Sequence, residues 1–142
     1  MAFFPLMTDL SGKDTLVIGA GEEGTKKVHV LKDFGARVVL VAPEAQEDAV
    51  READRYDRRG FEEADLDRME WTLAVAATND RELNRRISDG ARKRRIPVNV
   101  VDDPELCSFI FPALIRDADV VCSVSSGGKS PYVAQLVKAR IR

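Results

Sequence analysis

Three glycines set out the first chemistry open to this chain. Gly19, Gly21 and Gly24 stand at the GxGxxG spacing directly after the apolar run Leu16, Val17 and Ile18. In that pattern the first glycine permits a tight turn, the second lets backbone approach a pyrophosphate, and the third lets the next helix pack closely on the strand. Glu22 and Glu23 open that helix. The unpaired N–H groups and dipole of a helix N-terminus favour an anion there without any lysine. The stretch from Gly19 through Glu22 and Glu23 to Gly24 is therefore a candidate dinucleotide site.

Other candidate positions fall where strands should end. Ligands of open parallel sheets bind beyond the carboxyl ends of the strands, so Pro43 and Glu44, Thr78 and Asn79, and Val101 to Asp103 should share one rim with the glycines. The acid that ordinarily ends the second strand and holds the adenosine ribose is missing, and Glu44 lies three residues late. Either Glu44 or backbone around Pro43 must serve that ribose. A carboxylate there would repel a 2′-phosphate and no arginine stands beside it, which points to NAD over NADP. Asp102 would face the nicotinamide region, where a carboxylate can accept a proton. Its spacing before Pro104 fits capping of a turn as well. Ser125 and Ser126 have no histidine partner for nucleophilic work. His29, the only histidine, falls inside the first helix and away from the rim.

The elements that must position these residues alternate. A strand at 16–18 leads to a helix over 23–34, which stops at Gly35, and a second strand over 37–41 completes a βαβ unit. A short helix over 44–53, an edge strand over 55–59 and a helical turn over 62–68 come next. The nearly all-apolar run 71–77 reads as a strand buried on both faces. Thr78, Asn79 and Asp80 are helix-capping types before a helix over 81–94, and 98–101 is a fourth clear strand. The sheet should be parallel and doubly wound, a Rossmann-type arrangement over residues 1–109. After Pro104 the pattern changes. Strand-like runs over 107–115 and 119–125, joined by Arg116, Asp117 and Ala118, suggest an antiparallel pair, followed by a loop over 125–131 and a helix over 132–142. Residues 110–142 thus form a second, smaller segment.

Composition narrows the partners. The 142 residues are 44% hydrophobic and carry a net charge of −2 from interspersed acids and bases, with an isoelectric point near 5.5. Nothing in that balance points to nucleic acid or a membrane surface. The basic cluster 92–95 ends a helix, where cations complement the dipole. Residues 1–10 contain no basic n-region and no long apolar run, so neither a secretory signal nor a membrane span is expected, and the cytoplasm is the expected compartment. Cys107 and Cys122 show no CxxC spacing, no metal site is expected, and both fit reduced, buried thiols.

Four stretches taken together carry a resemblance: Val17-Ile-Gly-Ala-Gly21, Ala76-Ala-Thr-Asn-Asp80, the run from Asn99 to Pro112, and Val124-Ser-Ser-Gly-Gly-Lys-Ser-Pro131. They resemble the precorrin-2 dehydrogenase and sirohydrochlorin ferrochelatase family, the N-terminal module of siroheme synthases. The resemblance covers nearly the whole chain. It implies NAD-dependent conversion of precorrin-2 to sirohydrochlorin, with ferrous iron insertion in many members. It makes Asp102 the match of the family's catalytic aspartate and overrides the capping reading. It also implies tetrapyrrole contacts from the second loop, with Ser125, Ser126, Gly127 and Lys129 the candidates and Lys138, Arg140 and Arg142 further cations for the substrate's carboxylates. A homodimer through residues 110–125 is implied as well. Family members continue beyond the second loop into a helical domain, whereas this sequence stops at Arg142. A nucleotide-sensing regulatory module with a bare Rossmann fold is the alternative, though it gives no reason for the third and fourth stretches.

Overall fold

A computed structural model of the chain describes residues 1–127 and 129–141. The apolar runs assemble into a five-stranded sheet with the order β3-β2-β1-β4-β5. Its strands are β1 (Asp14–Ala20), β2 (Arg37–Ala45), β3 (Arg55–Asp57), β4 (Leu73–Ala76) and β5 (Val98–Val100), every neighbouring pair parallel. Leu16, Val17 and Ile18 of the central strand are at most 1% exposed. A strand covered on both faces needs no alternation of polarity, which is why a continuous apolar run marks it. Helix α1 (Glu22–Asp33) joins β1 to β2, and α3 (Arg81–Lys93) joins β4 to β5. The strand order runs outward from β1 in opposite directions, so right-handed crossovers carry these two helices to opposite faces. Val28 and Leu31 of α1, and Ile87 and Ala91 of α3, fill the space between helix and sheet. The expected doubly wound parallel sheet is borne out.

The chain divides into two compact units, one of Met7–Ser108 and one of Met1–Leu6 with Phe109–Arg142. In the second, β6 (Ala113–Asp117) and β7 (Val120–Val124) form an antiparallel pair, and α4 (Pro131–Ile141) follows the loop. No helix of the described residues is long and apolar enough to cross a membrane.

Several boundaries differ from the sequence reading, each for a local reason. The strand expected over 107–115 begins only at Ala113. Pro104–Leu106 is a 3-10 turn, and the next two residues are taken up in closing the outer edge of β5. Ser108 N–H donates to Val98 O at 2.8 Å while Ser108 Oγ accepts from Val98 N–H at 2.8 Å. An open strand edge is thereby covered by the chain's own return. Phe109 and Phe111 lie outside the hairpin and meet each other as a tilted ring pair, centroids 5.4 Å apart. The hairpin turn is the pair Ala118 and Asp119, not residues 116–118, since Asp117 pairs with Val120. Strand β2 runs on to Ala45 through a register shift against β1, so Pro43 and Glu44 are strand residues. Helix α2 shrinks accordingly to Glu47–Glu52. Gly128 and Arg142 lie outside the described residues, and with them part of the expected second loop and one expected substrate anchor.

Candidate functional site

The glycine turn is dictated by close approach. Gly19 has φ +95°, and a Cβ added to it would run into the Ala77 carbonyl and lie 2.9 Å from Thr78 N. The end of β1 therefore abuts the end of β4, and only glycine fits between them. A Cβ at Gly24 would overlap the Gly19 carbonyl oxygen, so α1 sits directly on the turn it leaves. Gly21 differs, since no heavy atom lies within 4 Å of where its Cβ would be. That open space faces the first turn of α1, whose N–H groups have no carbonyl four residues back to bond. Gly21 supplies no side-chain cap. The cradle fits a phosphate group, on backbone donors alone. The Glu22 and Glu23 side chains turn instead to Lys26, whose Nζ lies 3.6 and 3.2 Å from them.

Beside this turn lies a cleft of about 360 Å³ lined by Thr78, Arg81, Asn84, Val101, Asp102 and Asp103. Asp102 is exposed and has φ +63°, in the left-handed region that a residue with a Cβ enters only at a cost. The residues around it hold that conformation. The buried Cys107 Sγ accepts from Val100 N–H at 3.1 Å and lies 3.2 Å from Val100 O and 3.4 Å from Asp103 O, so the thiol ties both sides of Asp102 together. Burial pushes that thiol above the ordinary cysteine range. Arg81 Nη2 stands 3.9 Å from Asp103 Oδ2 across the cleft.

Thr78 is placed at the rim as expected, but its hydroxyl is already used. It donates to Asn84 Oδ1 at 2.6 Å and accepts from Asp80 N–H at 3.2 Å. Asn84 Nδ2 in turn donates to Thr78 O at 3.0 Å. Thr78 thus shapes the loop, and Asn79 beside it is exposed. Asp80 caps α3, its carboxylate accepting from the N–H groups of Glu82 and Leu83. Asn84 and Arg81 are cleft residues the sequence reading passed over, while Asp103 fell within its expected rim. A polar Asn84 on the apolar face of α3 was the available signal. Lys27 is another. Burial draws its ammonium below the usual lysine range, against the carboxylates of Glu23 and Asp102, which favour its charge.

At the other side of the turn, Pro43 and Glu44 are both exposed. Two side chains, one from β3 and one just past it, hold this strand end: Tyr56 OH donates to Ala42 O at 3.0 Å, and Arg58 Nε to Pro43 O at 3.3 Å. An arginine does stand beside the expected ribose position, contrary to the sequence reading. Sequence distance concealed it, because β3 returns beside β2 through the pairing of Val39, Leu40 and Val41 with Arg55, Tyr56 and Asp57.

His29 lies on α1 as expected, its Nδ1 3.0 Å from Glu52 Oε1. In the second unit, Ser126 Oγ accepts from Ser130 N–H at 2.7 Å and donates to Ser130 O at 2.9 Å, and Ser125 Oγ accepts from Gly127 N–H at 3.0 Å. These bonds fold the loop on itself around the candidate residues Ser125, Ser126, Gly127 and Lys129. Among the described residues no group of three or more His, Cys, Asp or Glu is placed to hold a metal ion.

A family profile described as "Putative NAD(P)-binding" matches residues 6–113. The chain belongs to this NAD(P)-binding family. The match takes in the whole parallel sheet and stops as the hairpin begins. Relatives extend the likeness to the rest of the chain. A protein named siroheme synthase from Pseudomonas fluorescens (strain SBW25) is 44% identical over 146 residues, covering 99% of this chain and 31% of its own length. One of the same name from Ectopseudomonas mendocina (strain ymp) is 45% identical over 143 residues, covering 99% of this chain and 30% of its own. The chain thus spans about a third of the length of these relatives. Among solved structures, "SirC, precorrin-2 dehydrogenase" superposes with a TM-score of 0.78 at 24% identity, over 98% of this chain and 69% of that one. The resemblance to the siroheme synthases read from four sequence stretches is borne out.

Proposed function

We propose that this NAD(P)-binding family member oxidises precorrin-2 to sirohydrochlorin, using NAD as acceptor. The observation that carries the reading is the junction at Gly19. There the phosphate cradle of β1 and α1 meets the end of β4, beside the cleft that presents Asp102. Likeness to siroheme synthases along 99% of the chain supports the choice of substrate.

In this reading the N–H groups after Gly21 hold the pyrophosphate, while Pro43 and Glu44 flank the adenosine ribose. NAD, when bound, supplies the hydride acceptor. Of the two hydrogens the macrocycle loses, one leaves as a hydride and the other as a proton, and Asp102 accepts the proton. The exposed Asp102 carboxylate meets the substrate without rearrangement, and the ties through Cys107 fix its direction. Thr78 and Asn84 hold the facing wall. Ser125, Ser126, Gly127 and Lys129 contact the tetrapyrrole carboxylates, with Lys138 and Arg140 as further cations. Ferrous iron insertion into the product, a homodimer through residues 110–125 and a cytoplasmic location belong to the same proposal.

Anaerobic incubation with precorrin-2 and NAD tests it, through growth of the NADH absorbance band. The parent chain should produce NADH, while Asp102→Ala should lose turnover and still bind NAD. Turnover of Asp102→Ala at the parent rate would sink the assigned role. NAD binding without any response to the tetrapyrrole would favour a nucleotide sensor.

A further inference from the structure

The cleft beside the glycine turn poses a charge problem. Its lining includes two acids, Asp102 and Asp103. As the proton acceptor Asp102 must be ionised, and Asp103 follows it directly in the chain. A substrate that carries carboxylates therefore meets two like charges at the place where it reacts, and each one brought close costs binding. A cation on the same wall would remove that cost. Arg81 is the one cation among the lining residues. Lys27 also carries its charge near Asp102, but it is half-buried on α1 and does not line the cleft.

Arg81 differs from other arginines of the same unit. Arg59 Nη2 is 2.6 Å from Asp65, Arg68 Nη1 is 2.8 Å from Asp57, and Arg94 Nε is 2.7 Å from Asp67. Those guanidinium groups are engaged within the protein. Arg81 Nη2 comes no nearer to Asp103 Oδ2 than 3.9 Å, too far for a hydrogen bond, and its side chain is 88% exposed. Its guanidinium makes no hydrogen bond among the described residues. The helix does not favour it either. Arg81 is the first residue of α3, where the dipole opposes a cation, and Arg85 one turn on adds a like charge. The cap is already supplied by Asp80. What Arg81 does suit is a ligand in the cleft, since a planar fork with its donors unused matches the two oxygens of a carboxylate.

We propose that Arg81 is a substrate-binding residue, receiving one peripheral carboxylate of the tetrapyrrole beside Asp102 and so offsetting the repulsion from Asp102 and Asp103. The inference rests on the reading of this cleft as the place where precorrin-2 is oxidised.

Two measurements on Arg81→Gln test it: the anaerobic NADH assay at saturating NAD, and titration with sirohydrochlorin in the absence of NAD, followed by tetrapyrrole absorbance. The side chain is exposed, so the melting midpoint should stay where it was. KM for precorrin-2 and the sirohydrochlorin dissociation constant should each rise about tenfold, the loss of one charge-assisted contact, with kcat and the NAD dissociation constant within about twofold. Arg81→Lys keeps the charge without the fork and should recover part of the loss. Raising ionic strength from about 0.05 M to about 0.5 M should raise the parent KM more than that of Arg81→Gln, a response that a merely structural role would not give. A parental KM in Arg81→Gln, or a loss that falls on NAD binding instead, overturns the assignment while the oxidation reading stands. A parent chain that makes no NADH and binds no sirohydrochlorin overturns both.

Discussion

Replacing Cys107 by alanine should damage the acid side of the site while sparing the nucleotide side. The thiol accepts from Val100 N–H and reaches the carbonyls of Val100 and Asp103 at 3.2 and 3.4 Å. Val100 is 2% exposed, so water cannot replace the sulfur at its N–H. Leaving a buried donor unpaired costs about 1–3 kcal/mol, and the long contacts to a weakly polar sulfur place this case near 2 kcal/mol. For a chain of this size that lowers Tm by roughly 6 °C. Catalysis suffers separately. Asp102 sits at φ +63°, a conformation that costs about 1–2 kcal/mol and persists because its surroundings over-determine it. Removing ties worth about 1.4 kcal/mol in total across it shifts the ratio of that conformer to its relaxed alternatives about tenfold. The expected outcome is kcat/KM for precorrin-2 lowered about tenfold, with the NAD dissociation constant within about twofold, since Gly19 to Gly24 make no contact with Cys107. Cys107→Ser keeps a donor and an acceptor and should recover part of both losses. Thermal melting, NAD titration and the anaerobic NADH assay on the same preparations measure the three quantities. A folded Cys107→Ala chain with parental kcat/KM would refute the reasoning.

Two further outcomes concern the scaffold. Asp65 is 1% exposed and is gripped by Arg59 at 2.6 and 2.9 Å and by Glu62 N–H at 2.9 Å. Asp65→Asn should cost about 3 kcal/mol in denaturant melts, the low end for breaking a buried pair because Arg59 and Arg68 retain 35% and 22% exposure, and leave NAD affinity in place. An unchanged midpoint would argue against it. The hydrogen bond from His29 to Glu52, with the charges of Asp33 and Glu52, raises the His29 pKa. A raised folded-state value means its stabilisation is complete below the unfolded pKa of about 6.5 and is lost as pH climbs through the folded value. With the side chain 60% exposed the effect is a few tenths of a kcal/mol. The stability difference between the parent and Glu52→Gln, followed by melting from pH 5.5 to 8.5, should be largest at the acid end, and a difference that grows toward pH 8.5 would contradict the pairing.

What was legible in the sequence and what was not divide along a physical line. The path from β1 through the glycine turn into α1 could be read because backbone geometry forbids most residues there. A Cβ at Gly19 meets the Ala77 carbonyl, and one at Gly24 meets the Gly19 carbonyl, so the residue types record the shape directly. Strands β1, β2 and β4 could be read because burial on both faces admits only apolar side chains. The strand expected from Cys107 failed on the same logic. Its residues are apolar enough, but Ser108 spends its backbone and hydroxyl on Val98, and a hydrophobicity pattern does not reveal where hydrogen bonds go. Arg58 was invisible for a different reason. It meets its partner, Pro43, between two strands, and a single sequence carries no signal of that meeting, whereas Asn84 showed itself only as a polar residue on the apolar face of α3 and not by its bond to Thr78. The role of Asp102 was likewise undecided by spacing, and only resemblance to a family raised it above a turn cap. The nucleotide half of the candidate site is therefore built from backbone and leaves its mark on residue type. The acid half is built from side-chain ties around one strained residue, where Cys107, Asn84 and Arg81 each have substitutes of similar polarity. Errors of sequence reading in chains of this kind should accordingly gather at the end of β5, while the turn after β1 stays readable.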